Sequence, residues 1–320
     1  MIQPISLTNR FSSLQFGAKE DIRIIPASKP TDLEKSIESE LGIKPTETVT
    51  EKFANGETYV NIEGDMRNKD VYIMSNSGND VNNYLMEVYL IADAAKRMGP
   101  KKIVAVLPNF PYARQERKTK PGEPISAALN LSLLRTAGVD EVITTDIHTT
   151  AIEGFGKDIK LTPLDTLDEM AKYFKDKFKD TSDLVVVSPD FGGERRANNL
   201  IKALNCNGAV ISKERAEHNK AEAKRLYGNV SGKTCIIYDD MIDTAGTMAE
   251  AVKILTENGA KEVYIAACHG LFNGNALENL SNPAIKEIVV TNSQTKPEVD
   301  KIKQVNIAPK IAKTMLDISA

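Results

Sequence analysis

Little in this chain of 320 residues invites a covalent or membrane-based reading. Cysteine occurs three times, at Cys206, Cys235 and Cys268, with no metal-binding spacing. Cys235 and Cys268 fall in apolar runs that read as buried strands, so the thiols are expected to be small core groups in a reducing compartment. No apolar run reaches the ~18 residues of a membrane-spanning helix. Excess charge of one sign is also lacking: 41 Lys and Arg against 44 Asp and Glu leave a net charge of −3. No global basic field is present to recruit nucleic acid. The first twenty residues lack the compact apolar core of a secretory signal, and the expectation is a poorly ordered extension on a cytoplasmic protein. What is present, 41% hydrophobic and 27% charged residues, suits a globular chain long enough for two domains.

One phrase recurs: a helical pattern, a glycine, three residues, then a strand. It appears as Gly99-PKK-IVAVL, Gly138-VDE-VITT and Gly259-AKE-VYIAA. Glycine just past a helix supplies the left-handed residue that ends it, and the following run enters a sheet. Helices alternating with short apolar strands imply an α/β fold with largely parallel sheets. A longer echo suggests two copies of one fold. DVYIMSNSG, a helix near Asn83–Met98 and GPKKIVAVLPNF mirror TCIIYDDMIDTAGT, its helix and GAKEVYIAACHGLF. The expected domains are 21–163 and 164–305 after an extension at 1–20, with the boundary near Leu161–Thr166. The closing segment IAPKIAKTMLDIS has helical periodicity.

Ligands of open parallel sheets bind at the carboxyl ends of strands. Five strand ends carry polar clusters here. IVAVL leads to PNFPYARQERK, VITT to DIHTT, LVVVS to PDFGGERR, AVI to SKER and CIIY to DDMIDTAGT. The last is the most informative. Two carboxylates, Asp239 and Asp240, follow the apolar run Cys235–Tyr238, then comes Asp243-Thr244-Ala245-Gly246-Thr247, then an apolar-periodic helix. A strand, a turn of small and hydroxyl residues and a helix N-terminus make an anion site, because free N–H groups and the helix dipole favour negative charge. The carboxylates would repel phosphate but can accept hydrogen bonds from sugar hydroxyls. A phosphoribose satisfies both. A capped, acidic surface turn is the alternative.

The other clusters are weaker when taken singly. Arg114 and Gln115 follow an aromatic pair, and arginine's planar fork suits polyphosphate, although a solvated basic turn would look the same. His148, one of three histidines, sits with Asp146 at a strand end, where a satisfied core group is the plain reading. Lys213 and Arg215 share a face of an extended segment by alternation. The polar stretch AEHNKAEAKRLYGNVSGK after them reads as a lid or as an exposed helix and loop.

The segment TCIIYDDMIDTAGT resembles the phosphoribosyl pyrophosphate loop of type I phosphoribosyltransferases and of ribose-phosphate pyrophosphokinases. PYARQERK, FANGE, SPDFGGERR, SKER, ACHGLFNGNA and KEIVVTN extend the resemblance to the second family over nearly the whole globular chain. That resemblance implies two type I phosphoribosyltransferase-like domains, the closing helix packing back on the first. The implied reaction transfers the diphosphoryl group of ATP to the 1-hydroxyl of ribose 5-phosphate with Mg²⁺. By the same resemblance Lys213 and Arg215 are catalytic, and Asn55, Gly56, Glu57, Arg114, Gln115 and His148 bind ATP. Ribose 5-phosphate falls to Arg215, Asp239, Asp240 and the 243–247 loop. His148 and Asp190 become metal ligands, and homodimers assembled into hexamers are implied, with no nucleic-acid or membrane partner. Departures are Glu153 for a common Gln, Gly156 for a repeated Phe, Cys268 for a usual Thr, the Pro-Gly of KTKPGEP and the N-terminal extension. A type I phosphoribosyltransferase and a non-catalytic regulatory homologue remain the rival readings.

Overall fold

A computed structural model describes residues 19–27, 30–76, 78, 80–214 and 223–320. The chain divides into two compact units: one runs to Leu164 and includes Ala308–Ala320, the other spans Asp165–Ile307. In the first, β1 (Ile22–Pro26), α1 (Asp32–Leu41), the hairpin β2 (Thr48–Lys52) and β3 (Thr58–Ile62), β4 (Asp70–Met74) and α2 (Val81–Arg97) follow in order. Then come β5 (Lys102–Val106), α3 (Ser126–Ala137), β6 (Glu141–Thr145), a 3₁₀ turn at Thr150–Phe155 and β7 (Lys160–Leu164). Five strands pair in parallel in the order β1-β4-β5-β6-β7, and β2-β3 stand apart as an antiparallel ribbon. Burial on both faces explains the apolar runs Val71–Met74 of β4 and Ile103–Val106 of β5, as parallel sheets covered by helices require.

The second unit opens with α4 (Leu167–Lys177), β8 (Leu184–Ser188), α5 (Glu194–Leu204), β9 (Asn207–Glu214) and β10 (Ala223–Tyr227). It continues through β11 (Thr234–Ile242), α6 (Gly246–Glu257), β12 (Glu262–Gly270), α7 (Ala276–Asn279), β13 (Ile285–Thr291) and β14 (Ile302–Val305). Its sheet order is β10-β9-β8-β11-β12-β13-β14, parallel except for the β9–β10 hairpin. The parallel core β8-β11-β12-β13-β14 repeats β1-β4-β5-β6-β7 strand for strand, seven strands later. Each copy inserts a hairpin between its first and second core strands. Separate apolar layers cover the two faces of this sheet, one around Ile237 and Leu255, the other around Phe174 and Tyr238.

The final helix, α8 (Ala308–Ser319), packs in the first unit against α1. Ile311 and Met315 are buried there, and the Tyr72 hydroxyl of β4 donates to the Met315 carbonyl and meets the Ser319 hydroxyl, each at 2.8 Å. The helix after the last strand of each sheet thus belongs to the other unit: α4 follows β7, and α8 follows β14. The three glycines of the recurring phrase take φ of 76°, 120° and 82°, each three residues before its strand.

Two expectations need correction. The strand expected over Cys235–Tyr238 runs on to Ile242, so Asp239 and Asp240, which precede the turn as expected, lie inside β11, with Asp239 and Met241 in register with Ala267 and His269 of β12. The backbone hydrogen bonds of β12 extend as far as Gly270 and carry the strand past its apolar run. The stretch after Arg215 is only partly a loop. Ala223–Tyr227 forms edge strand β10, with Leu226 against the core, while Arg215 and residues 216–222 lie outside the described residues.

Candidate active site

At the C-terminal end of β11, Asp240 is buried and Asp239 is about one-fifth exposed. Adjacent strand residues start toward opposite faces, yet the Asp240 carboxyl reaches that of Asp239 closely enough for a side-chain hydrogen bond between them. Asp239 Oδ1 accepts the Asp240 backbone N–H at 2.8 Å and stands 3.5 Å from Arg196 Nη1 of α5. Burial pushes the Asp239 carboxyl above the ordinary carboxylate range. Asp240 adds to the rise, and the Arg196 guanidinium opposes it.

The turn after β8 closes beside this pair. Ser188 Oγ donates to the Asp190 carbonyl at 2.6 Å, and Asp190 Oδ1 accepts the Gly193 N–H at 2.9 Å. A Cβ on Gly193 would lie 2.9 Å from Ser188 Oγ and 3.7 Å from Oδ1 of both Asp190 and Asp239. Glycine here lets two carboxylates from different strand ends frame one backbone turn.

Beyond Ile242 the chain enters the 243–247 loop. Ala245 takes φ 60° and ψ 13°, a left-handed conformation that costs a residue with a Cβ, and α6 starts at Gly246. No side chain caps this helix. Thr244, Gly246 and Thr247 are exposed, and a Cβ on Gly246 would meet nothing within 4 Å. The first-turn N–H groups therefore open onto accessible space, as anion binding at a helix N-terminus requires.

β9 carries Lys213 past the end of its neighbour β8. Val210 pairs with Ser188, the last residue of β8, and Lys213 lies three residues farther along, about 10 Å at strand rise. Lys213 is described by its backbone alone, in register with Lys224 of β10. Arg215, the other residue expected to be catalytic, lies outside the described residues.

In the first unit, FANGE is the exposed tip of the β2–β3 hairpin. Phe53 N–H donates to the Glu57 carbonyl at 2.8 Å, Glu57 N–H donates to Asn55 Oδ1 at 3.2 Å, and Gly56 takes φ 90°. The Asn55 oxygen thus builds the turn itself. The loop after β5 places Arg114 and Gln115 on the surface. It is anchored by Tyr112 OH donating to Asn82 Oδ1, by Ser126 Oγ donating to Gln115 Oε1, and by Asn130 Nδ2 donating to the Pro111 carbonyl at 3.2 Å. Lys52 Nζ donates to Asn83 Oδ1 at 3.1 Å. Hairpin and loop are therefore tied to consecutive asparagines at the start of α2.

His148 is exposed, two residues after Asp146, whose φ is 35°. The Pro108 carbonyl accepts from Thr144 Oγ1, Thr145 N and Thr145 Oγ1, at 3.1, 2.9 and 2.9 Å. That carbonyl ties the Arg114 loop to the His148 loop. Asp190 belongs to the other unit, and among the described residues no group of three or more His, Cys, Asp or Glu side chains is arranged to hold a metal.

Arg196 and Gly193 escaped the sequence reading, although both stand in SPDFGGERR; nothing in a row of glycines and charges distinguishes a ligand from a solvated turn. Asn273 stands in the quoted segment ACHGLFNGNA without a role, and Asn279 lies outside every quoted motif.

Residues 22–138 match the family model of the N-terminal domain of ribose phosphate pyrophosphokinase, and residues 218–319 that of the phosphoribosyl synthetase-associated domain. The chain is 40% identical over 309 residues to a ribose-phosphate pyrophosphokinase of Bacillus subtilis, covering 96% of each. It is also 40% identical over 287 residues to that of Fusobacterium nucleatum, covering 90% of each. The chain belongs to the ribose-phosphate pyrophosphokinase family. A crystal structure of phosphoribosylpyrophosphate synthetase from Mycobacterium smegmatis superimposes with a TM-score of 0.87 at 36% identity, covering 93% of this chain and 98% of that one. Against the family pattern, Gly156 now has a steric cause: a Cβ there would stand 2.4 Å from the Ile159 carbonyl. Cys268 is buried, 3.7 Å from Thr291 Oγ1. Among the described residues no helix is long and apolar enough to cross a membrane.

Proposed function

We propose that this chain transfers the diphosphoryl group of ATP to ribose 5-phosphate, giving AMP and 5-phosphoribosyl 1-pyrophosphate. The ribose 1-hydroxyl oxygen forms a bond to the β-phosphorus and loses its proton. The bond from the β-phosphorus to the α–β bridging oxygen breaks, and that oxygen leaves with AMP. Catalysis in such transfers is mostly positioning and charge stabilisation.

The observation that carries the reading is the end of β11, where two carboxylates precede an uncapped helix N-terminus. Asp239 and Asp240 accept the ribose hydroxyls, and the loop from Asp243 to Thr247 takes the 5-phosphate on N–H and hydroxyl donors. Asn55, Gly56, Glu57, Arg114 and Gln115 hold the ATP donor. Lys213 and Arg215 neutralise charge that develops on the transferred group.

Mg²⁺ is the proposed metal, supplying charge neutralisation on the phosphates. It prefers oxygen ligands, keeps waters and rides on substrate phosphate, so a sparse protein set suffices. Asp190 fits as one ligand, because one of its oxygens is fixed by the Gly193 N–H. His148, exposed beside the donor loop, is the other. A homo-oligomer of dimers, up to a hexamer, acting in the cytoplasm completes the proposal.

The test is AMP release from ATP and ribose 5-phosphate with Mg²⁺ and no nucleobase. Activity only when a nucleobase and 5-phosphoribosyl 1-pyrophosphate are supplied would make the chain a phosphoribosyltransferase. Silence in both assays would favour the regulatory homologue.

A further inference from the structure

Four residues of the stretch 271–279 that follows β12 hold the anion loop in shape. Leu271 and Phe272 donate their N–H groups to the Ile242 carbonyl at 2.8 and 3.1 Å. Asn273 takes Asp243 twice: its N–H donates to the Asp243 carbonyl at 3.0 Å, and its Nδ2 donates to Asp243 Oδ1 at 2.9 Å. Asn279, at the end of α7, donates from Nδ2 to the Thr244 carbonyl at 2.8 Å.

A trans peptide points its carbonyl and its N–H in opposite directions. Fixing the Asp243 carbonyl toward Asn273 therefore turns the Thr244 N–H the other way, and fixing the Thr244 carbonyl toward Asn279 does the same for the Ala245 N–H. Both join the first-turn N–H groups of α6 in one run of donors, the arrangement that binds anions. Ala245 must hold φ 60° to make this turn, and a residue with a Cβ stays there only when its surroundings enforce it.

We infer that Asn273 and Asn279 are positioning residues for the acceptor, clamping the loop from Asp243 to Ala245 so that its N–H groups face the 5-phosphate. This rests on the proposed reading of that loop as the ribose 5-phosphate site. The anchor is separate from the ligand contacts. Asn273 and Asn279 spend their amides on the loop, and Asp243 spends one carboxylate oxygen on Asn273.

The substitutions Asn273→Asp and Asn279→Asp keep side-chain size while turning a donor into an acceptor. Each should raise KM for ribose 5-phosphate about tenfold or more, with KM for ATP within about twofold and Tm nearly unchanged. Adding Ala245→Gly to Asn279→Asp should recover at least about threefold of that loss, because glycine holds the left-handed turn without support. An unchanged KM for ribose 5-phosphate, an equal rise for ATP, a matching collapse of Tm, or no recovery with Ala245→Gly would each overturn the inference. Wild-type protein that releases no AMP would instead overturn the reading of the loop, and the clamp's proposed purpose with it.

Discussion

Arg196 Nη1 stands 3.5 Å from Asp239 Oδ1, and both side chains are about one-fifth exposed. The pair joins the first turn of α5 to the end of β11, two elements more than forty residues apart in sequence. Without that guanidinium the Asp239 carboxyl, already raised by burial and by Asp240, would rise further.

Arg196→Ala is therefore expected to raise KM for ribose 5-phosphate about tenfold, the cost of about 1.4 kcal/mol for a lost charge-assisted contact. The acidic limb of kcat/KM should move to higher pH, because Asp239 would need a higher pH to ionise. Arg114→Ala should instead raise KM for ATP. Both KM values in both variants, with one pH profile, check the assignment. A shift of the limb to lower pH would refute it.

Lys213→Ala should lower kcat by about 10²–10³ while changing either KM little. A cation that acts chiefly on developing charge is worth about 3–4 kcal/mol in the transition state. Steady-state kinetics decide: a near-normal kcat with a raised KM would move Lys213 to ground-state binding.

His148→Ala and Asp190→Asn should each raise the Mg²⁺ concentration needed for half-maximal activity, since each removes one of few protein ligands. A Mg²⁺ titration of both variants measures this. Curves that overlay the wild type would exclude the two residues as ligands.

Glu34 gives a prediction about stability. It closes a capping box with Thr31 at the start of α1 and is only 3% exposed. Burial raises its carboxyl from 4.5 to about 7, against the hydrogen bonds from Thr31 and with help from Glu38. The native state thus binds this proton more tightly than the unfolded chain. Stability from this group is present below about pH 4.5 and is lost as pH rises to about 7, at most about 3 kcal/mol. Glu34→Gln keeps an acceptor for Thr31 and carries no charge. Urea midpoints between pH 4.5 and 8 should fall with pH less steeply in the variant, and parallel curves would show that Glu34 does not titrate in this window.

The sequence by itself determined the parts that depend on local periodicity and on chemistry carried by contiguous residues. Glycines three residues before a strand, apolar runs buried on both faces, and Thr244-Ala245-Gly246-Thr247 ahead of a periodic helix are written within one turn or one strand. Tertiary structure decided what depends on elements meeting. Only pairing with β12 carries β11 through both aspartates, and only the fold brings Arg196 of α5 to Asp239 or Asn279 of α7 to Thr244. The terminal helix could be read from its periodicity, but its hydrogen bonds to Tyr72, more than two hundred residues away, could not. Periodicity says which face of an element seeks cover and never which element supplies it, because that choice is made by packing between distant segments.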